Sequence, residues 1–313
     1  MKNRVKRTSL KKSEHKGLRY NIKYIKLKMY LKMKKFIIFL TILFYFAKIY
    51  SANRDKEIYF FCGAAVKVPM DEIIKNYEKK KNIKVNVIYS GSGTLLSQME
   101  ISKKGDVYLC GSPDYISIGE RKNLLIKNSA KIVAYLVPAI IVPKDNPLNI
   151  KKIEDLTNRE VRIGMGNPQN VCLGLYGIEL LDYNKLLEKV LPNVVVFAKS
   201  CEDTAMLVAL NKVDAILGWD VFESWYPEKV KWIKIDKNKI KRISYIPIAI
   251  PVFTKDIKIS KDFINYVTSE EGKKIFRKWG YIFSEKEAKK YAPNAIIGGE
   301  YNLPEKYFEL IKK

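Results

Sequence analysis

Hydrophobic and polar positions near the start of the folded part repeat one order of strand, small-residue loop and helix. An apolar strand pattern over 57–62 leads through small residues into apolar positions at helical spacing. The same order returns over 83–103, and a third strand pattern over 106–110 ends in Gly111-Ser112. Such a series is typical of α/β proteins with a largely parallel sheet. It places three loops at one edge of that sheet, where open α/β sheets bind ligands.

A second series of the same kind lies between two related segments. Its strand patterns lie at 161–165, 194–198 and 215–218. The flanking segments 135–144 and 245–255 are both apolar, contain prolines and end in Lys. We interpret them as two strands that cross between lobes. The sequence therefore predicts lobe one at 54–134 plus 247–313 and lobe two at 135–246, each with its own core.

The first 52 residues are predicted to lie outside this fold. Basic residues crowd positions 1–35, and an apolar run follows at 36–47. The length of that run is typical of a signal-peptide core and short for a membrane span. Cleavage is expected at 51–52, and translation is suspected to begin at Met29 or Met33. The exported chain is then secreted, or it is held at the outer face of the cytoplasmic membrane by an uncleaved anchor.

The strongly basic composition needs no nucleic-acid partner. Residues 1–52 hold fifteen Lys or Arg residues and one acidic residue, which leaves +11 of the net charge of +25 for the exported part. Such a surplus fits a solvated, Lys-rich surface. The only histidine, His15, lies in the leader. The exported part therefore has no imidazole for catalysis, and we expect neither a metal nor a cofactor.

The loop Ser90-Gly91-Ser92-Gly93 joins a strand to a helix through small residues. Backbone N–H groups and hydroxyls in such a loop can converge on an anion at the positive end of the helix dipole. The loop lacks the Lys of a phosphate-gripping loop and the spacing of a dinucleotide site. It is either a neutral anion cradle or a glycine turn that only caps the helix.

Three spaced motifs resemble a known family. They are Asn-Pro-Leu at 146–148 before Ile-Glu-Asp-Leu at 153–156, Gly-Asn-Pro at 166–168 leading to Tyr176, and the tail at 263–281. Over 57–283 the chain resembles the solute-binding proteins of molybdate and tungstate ABC transporters. This resemblance implies the α/β, two-lobed type II periplasmic binding-protein fold, with the two crossover strands as hinge. It also implies a monomer that carries a small oxyanion to an ABC permease in the membrane.

The same resemblance implies ligand contacts from both lobes. In lobe one the small residue after the first strand is Ala65, where the family usually places Ser, and the loop serine is Ser92, with Ser90 beside it. In lobe two the backbone donor falls on Leu173 and the helix-start donor on Thr204. Full coordination is then expected only when the lobes close.

Two positions depart from the family pattern, Ala65 and the segment Gly218-Trp219-Asp220, where the family places a Tyr. Trp219 is expected near the ligand. Asp220, if it faces the cleft, would repel a fully deprotonated oxyanion and would accept a proton from hydrogen phosphate or bind a cationic group. A binder of sulfate, phosphate or an organic ligand therefore stays an alternative.

Four cysteines lie in the exported region, at 62, 110, 172 and 201. An even number in an oxidising compartment predicts disulfides, Cys62–Cys110 and Cys172–Cys201. The alternative is four buried free thiols. Enzymatic patterns are weak, because Ser90 and Ser92 have no evident base and no Gly-x-Ser-x-Gly elbow is present. We expect a binding protein, or the receptor component of a signalling system, and not an enzyme.

Overall fold

The structure is a computed structural model that describes residues 28–44 and 56–312. Residues 28–44 form helix α1, which is exposed along its length. In these two ranges no helix has the length and apolar character needed to cross a membrane. The predicted cleavage point at 51–52 and most of the basic leader lie outside the described residues. From Lys56 onward the chain is one compact unit.

This unit contains eleven strands within 56–312. They are β1 (Glu57–Gly63), β2 (Lys84–Ser90), β3 (Val107–Leu109), β4 (Lys131–Leu136), β5 (Pro138–Pro143), β6 (Ile163–Gly166), β7 (Val194–Ala198), β8 (Ala215–Trp219), β9 (Val230–Ile233), β10 (Arg242–Ala249) and β11 (Ile296–Ile297).

The α-helices of the same range follow or connect these strands. They are α2 (Lys67–Lys81), α3 (Ser92–Ser102), α4 (Asp114–Arg121), α5 (Cys172–Tyr183), α6 (Leu187–Val190), α7 (Cys201–Ala209), α8 (Phe222–Trp225), α9 (Ile257–Val267), α10 (Glu270–Lys278), α11 (Glu285–Ala288) and α12 (Glu305–Ile311). Short 3₁₀ turns lie at Ala64–Val66, Ile153–Thr157 and Leu191–Asn193.

The strands form two sheets. Sheet one has the order β11-β10-β3-β1-β2, with β4 paired to β10, and sheet two has the order β7-β6-β8-β5-β9. The central pairs of both sheets, β1 with β2 and β3 and β6 with β7 and β8, are parallel. Parallel strands put their carboxyl ends at one edge, so the small-residue loops of each sheet lie together. The predicted α/β class with two lobes is confirmed.

The first crossing between the sheets is a single residue. β4 belongs to sheet one and β5 to sheet two, so the chain passes from one sheet to the other at Val137. The return follows β9 and ends in β10, which runs antiparallel to β4 with Tyr245 opposite Tyr135. Extended, Pro-containing segments suit such a passage, because Pro disfavours continued helix and central ladder pairing.

The C-terminal tail divides between the two sheets. Helices α9 and α10 contact α2, which packs beside sheet one. In contrast, Ala288 and Tyr307 are buried in a hydrophobic cluster with the sheet-two residues Ile163 and Leu217. The predicted lobe boundaries at 134/135 and 246/247 stay a proposal.

The predicted disulfides are wrong, because all four cysteines are buried free thiols. In the β1–β3 pair Cys62 lies opposite Leu109, and consecutive strand residues point to opposite faces. Cys110 therefore points away from Cys62, and its thiol donates to the Ser112 carbonyl (3.1 Å). The Cys172 and Cys201 sulfurs lie 3.9 Å apart, about twice a disulfide bond length.

Candidate functional site

Loops and helix starts of both sheets meet around Gly111, which follows β3. The Gly111 N–H donates to Ser92 Oγ at 3.2 Å. A Cβ atom on Gly111 would lie 3.4 Å from Ala65 Cβ and 2.4 Å from Cys172 Sγ, so no larger residue fits there. Cys172 in turn contacts Cys201, the first residue of α7. We call Ala65, Ser92, Gly111, Cys172 and Cys201 the cradle.

Ser92 begins α3 at the floor of the cradle and is 1% exposed. Its carbonyl accepts a hydrogen bond from the Tyr108 hydroxyl at 2.9 Å. Its Oγ already accepts from Gly111, so the hydroxyl proton is free to donate to a guest. The N-cap residue, Gly91, offers no side chain to the first N–H groups of the helix. The positive end of α3 and a hydroxyl donor therefore lie together.

The other predicted residues of sheet one also lie at this edge. Ala65 is buried in the 3₁₀ turn after β1, and its carbonyl accepts from the Tyr281 hydroxyl at 2.5 Å. Ser90 ends β2 opposite Gly63 and is partly buried. Ala65 offers no hydroxyl, so any contribution to a ligand from its position is a backbone one.

The predicted residues of sheet two lie at the starts of α5 and α7. Leu173 is the second residue of α5 and is buried, and the first N–H groups of a helix have no intrahelical acceptor. Thr204 differs, because its N–H and its Oγ1 both donate to the Ser200 carbonyl (3.1 and 2.7 Å). The donors of Thr204 are thus used within its own helix.

Trp219 and Gly218 lie at the end of β8 in sheet two. Trp219 is fully buried, and its ring packs edge-on against Tyr176 with 5.2 Å between centroids. At Gly218 a Cβ would lie 2.6 Å from a side-chain carbon of Ile141. Of the two positions where the family resemblance implies a Tyr, Gly218 therefore has no room for a side chain without repacking, and the other holds Trp219.

Asp220 faces the hinge backbone. Its Oδ1 accepts the Val137 N–H, and its own N–H donates to the Val137 carbonyl, both at 3.0 Å. Burial raises the pKa of Asp220 from 3.8 to about 7, against the backbone hydrogen bonds that lower it. The carboxyl thus ties the end of β8 to the first crossing.

The two lobes touch across the cleft. The Gly93 N–H, at the start of α3, donates to the Asn170 carbonyl at 2.8 Å. Lys67, at the start of α2, forms a 3.0 Å ion pair with Glu202 of α7. Within 28–44 and 56–312 no group of three or more His, Cys, Asp or Glu side chains is arranged to hold a metal ion. The loops and helix starts of the two sheets are therefore in direct contact at this edge.

A second set of polar side chains lies next to the cradle, and sequence reasoning missed it. We call Ser112, Asp114, Tyr176, Glu179 and Arg242 the Arg242 cluster. Arg242 Nη1 binds both Asp114 carboxylate oxygens at 3.0 Å, and Nε binds Glu179 at 2.7 Å. The guanidinium carbon lies 4.0 Å from the centroid of the Tyr176 ring. All three charged side chains are at most 6% exposed.

The only sequence signal for this cluster was Tyr176, which belongs to the family motif. Arg242 lies in a Lys-rich stretch and looks like one more surface cation. Burial raises the pKa of Glu179, although the adjacent Arg242 guanidinium acts in the opposite direction. Burying an Arg between two carboxylates is costly unless all three charges are paired, so this cluster depends on each of its members.

Comparison with known proteins agrees with this geometry. The family described as "Bacterial extracellular solute-binding protein" matches residues 58–282. The chain is 26% identical to a putative ABC transporter substrate-binding lipoprotein, YvgL, of Bacillus subtilis, over 74% of this chain and 89% of the relative. It is 25% identical to the molybdate-binding protein ModA of Haemophilus influenzae, over 76% and 93%.

A solved structure is similar as well. The substrate-binding domain of a putative molybdenum ABC transporter from Clostridium difficile aligns with a TM-score of 0.56 and 25% identity, over 73% of this chain and 99% of that one. The expected absence of enzymatic activity is confirmed, since the family and these relatives are binding proteins. The chain belongs to the bacterial extracellular solute-binding protein family.

Proposed function

We propose that this protein captures an oxyanion such as molybdate or tungstate between its lobes and delivers it to an ABC permease in the membrane. The observation that supports it best is the convergence of helix starts from both sheets on Gly111. Ser92 opens α3 on one side of the cradle, and Cys172 and Cys201 open α5 and α7 on the other. The positive ends of these helices favour negative charge at one point.

The chemistry of the cradle suits an anion held by neutral donors. None of its five residues carries a cationic side chain. The hydroxyl of Ser92 and the first N–H groups of α5, near Leu173, can donate without exchanging a proton with the guest. Ser90 and Trp219 border the same edge. Because neither lobe supplies enough donors by itself, the closed contacts Gly93 to Asn170 and Lys67 to Glu202 belong to the bound form in this proposal.

Specific observations favour a second candidate. Ala65 lacks the hydroxyl that the resemblance implies for molybdate binding. Neither Gly218 nor Trp219 provides the Tyr side chain that the resemblance also implies. Two donors fewer leave the cradle less complete for a fully deprotonated tetrahedral ion. Sulfate, phosphate or an organic ligand is therefore the alternative guest. In either case the protein acts as an exported monomer, secreted or held at the outer face of the cytoplasmic membrane.

Calorimetric titration of the purified protein with molybdate, tungstate, sulfate and phosphate tests this function. We expect saturable binding of at least one ion, with a change in tryptophan fluorescence because Trp219 lies beside the cleft. The same ion should protect the protein thermally, since a ligand that binds only the folded state stabilises it. Folded protein that binds none of the four ions, and no organic oxyanion, would overturn the proposal.

A further inference from the structure

Three polar atoms of the Arg242 cluster are buried and have no hydrogen-bond partner within the described part of the chain. They are Ser112 Oγ, Tyr176 Oη and Arg242 Nη2. The residues are 0%, 2% and 4% exposed. Buried polar groups in folded proteins nearly always have a partner, and leaving one unpaired is costly. Three such groups in one cluster indicate a place built to hold an acceptor.

These groups come from both lobes and belong to neighbouring elements of the Arg242 cluster. Ser112 follows β3 and Arg242 begins β10, both in sheet one, whereas Tyr176 lies on α5, which packs on sheet two. Arg242 stacks on the Tyr176 ring, and its Nη1 binds Asp114, two residues after Ser112. A guest at this point would contact both lobes, as a guest in the cradle would.

The Arg242 cluster adjoins the cradle through one residue, Gly111. The Gly111 N–H binds Ser92 in the cradle, and the Gly111 carbonyl accepts from Ser244 Oγ at 2.8 Å, two residues after Arg242. On α5, Tyr176 follows Leu173 by three residues, so both lie on one side of the helix. Gly111 and α5 therefore border both places.

The charges decide which chemical group fits. The single positive charge of Arg242 faces two carboxylates, Asp114 and Glu179. An additional negative charge would find no uncompensated cation in this cluster. What remains is two hydroxyls and the Nη2 amino group of Arg242 with its two N–H donors, which suit a neutral oxygen acceptor. A hydroxyl guest could also donate to the neighbouring carboxylates.

We propose that the Arg242 cluster is a second subsite, which binds a hydroxyl or carbonyl oxygen of an organic group attached to the oxyanion. The preferred ligand is then an oxyanion ester with a hydroxylated organic part, and it binds more tightly than the bare ion. This proposal rests on the proposed function, because the cradle must hold the oxyanion end.

Matched ligands and variants test the subsite. The ligands are glycerol 3-phosphate, propyl phosphate, which lacks its hydroxyls, and inorganic phosphate, each titrated calorimetrically. We expect glycerol 3-phosphate to bind at least about 10-fold more tightly than propyl phosphate to the unaltered protein. Tyr176→Phe and Ser112→Ala should each reduce that preference several-fold, and the affinity for propyl phosphate should stay the same. Tyr183→Phe, on the exposed face of α5, is the matched control.

Stability separates a binding role from a structural one. The Ser112 and Tyr176 hydroxyls make no hydrogen bond of normal geometry, and Ser244 Oγ, which lies near the Tyr176 hydroxyl, already donates to Gly111. Removing either hydroxyl should therefore not lower the thermal stability of the ligand-free protein. Equal affinities for glycerol 3-phosphate and propyl phosphate, or a preference that survives both substitutions, would overturn the subsite. If the bare oxyanions and both phosphate esters all fail to bind, the proposed function of the cradle itself is wrong.

Discussion

The cradle and the Arg242 cluster adjoin at Gly111, yet their polar groups are of opposite kinds, neutral in the cradle and charged in the Arg242 cluster. The cradle combines a serine hydroxyl, helix starts and two thiols, all neutral. The Arg242 cluster buries three full charges, each with a counter-ion within 3.0 Å. Both are nearly inaccessible to solvent in the closed structure.

Under the proposed function, the difference follows from what each place must do when a ligand leaves. Neutral dipoles at helix starts can lose a bound anion to water without leaving a buried charge behind. A buried cation without a permanent partner would be costly in that state, so the charges of the Arg242 cluster compensate one another within the protein. In this proposal the charge of the ligand, which comes and goes, is stabilised by helix dipoles. The permanent charges of the Arg242 cluster are stabilised by oppositely charged side chains.

Asp220 is a third case, because it is a buried carboxyl whose partners are backbone N–H groups and not a cation. Its pKa of about 7 is the consequence of that environment. Comparing it with Asp114, which binds Arg242, separates the effect of burial from that of a counter-ion.

The largest expected effect comes from removing the shared cation. Arg242→Met keeps an unbranched side chain in place of the Arg stem but leaves Asp114 and Glu179 buried without a counter-ion. We expect a loss of about 3–5 kcal/mol in the free energy of unfolding, measured by urea denaturation at neutral pH.

Arg162→Met is the matched control, since its ion pair with Asp214 has an Arg that is 54% exposed. An exposed pair of this kind is worth about 0–1 kcal/mol. Equal losses for Arg242→Met and Arg162→Met would show that the Arg242 cluster is not an internally compensated charge set.

The next effect concerns the carboxyl without a counter-ion. The folded-state pKa of Asp220 lies above its ordinary value of 3.8, so the folded protein holds the proton more tightly than the unfolded chain. The contribution of this group to stability is therefore greatest below about pH 4 and is lost as pH rises to about 7. Asp220→Asn keeps an acceptor for the Val137 N–H and cannot ionise.

Asp220→Asn should therefore be more stable than the unaltered protein at pH 8, by roughly 2–4 kcal/mol at about 1.4 kcal/mol per pKa unit, with the gap closing toward about pH 4. Urea unfolding across this pH range measures it. Asp214→Asn should show no such slope above about pH 5, because Arg162 lowers the pKa of Asp214. A constant difference between Asp220→Asn and the unaltered protein would contradict this account of the hinge.

The smallest of these effects concerns the cradle, whose polar groups are neutral. Ser92→Ala removes a hydroxyl donor from the cradle, at about 1.5–3 kcal/mol for a hydrogen bond to a charged group. Affinity for the best oxyanion should fall roughly 10- to 100-fold by calorimetry. The Ser92→Ala substitution should also lower the free energy of unfolding of the ligand-free protein by about 1 kcal/mol, because the Gly111 N–H loses its acceptor.

Ser97→Ala, on the exposed side of the same helix, is the control and should change neither quantity. Unaltered affinity in Ser92→Ala would remove Ser92 from the ligand contacts, whatever its structural role.

Much of the architecture is readable from local pattern. The apolar runs that became β1, β2 and β6, and the small residues after them, predict parallel units and the edge where loops gather. These features depend on neighbours within a few residues, which is why a linear sequence reports them well. Family motifs added the two-lobed arrangement and pointed to Ser92.

Other features depend on partners far apart in the chain. The predicted disulfide between Cys62 and Cys110 failed because the register of β1 with β3 puts the two thiols on opposite faces. The sequence left open whether Asp220 faces the cleft, and in the structure its carboxylate accepts the N–H of Val137, 83 residues earlier. No local pattern carries that information.

The Arg242 cluster shows most clearly what sequence patterns do not predict. Its members come from the end of β3, from α5 and from β10, and Arg242 by itself reads as one cation in a basic stretch. Periodicity and turn chemistry specified the strands, the loops and the helix starts of the cradle, because their causes lie in adjacent residues. Only the packing of both sheets against the returning strand brought one arginine between two carboxylates, since burial and counter-charge are properties of the folded environment and not of any single segment.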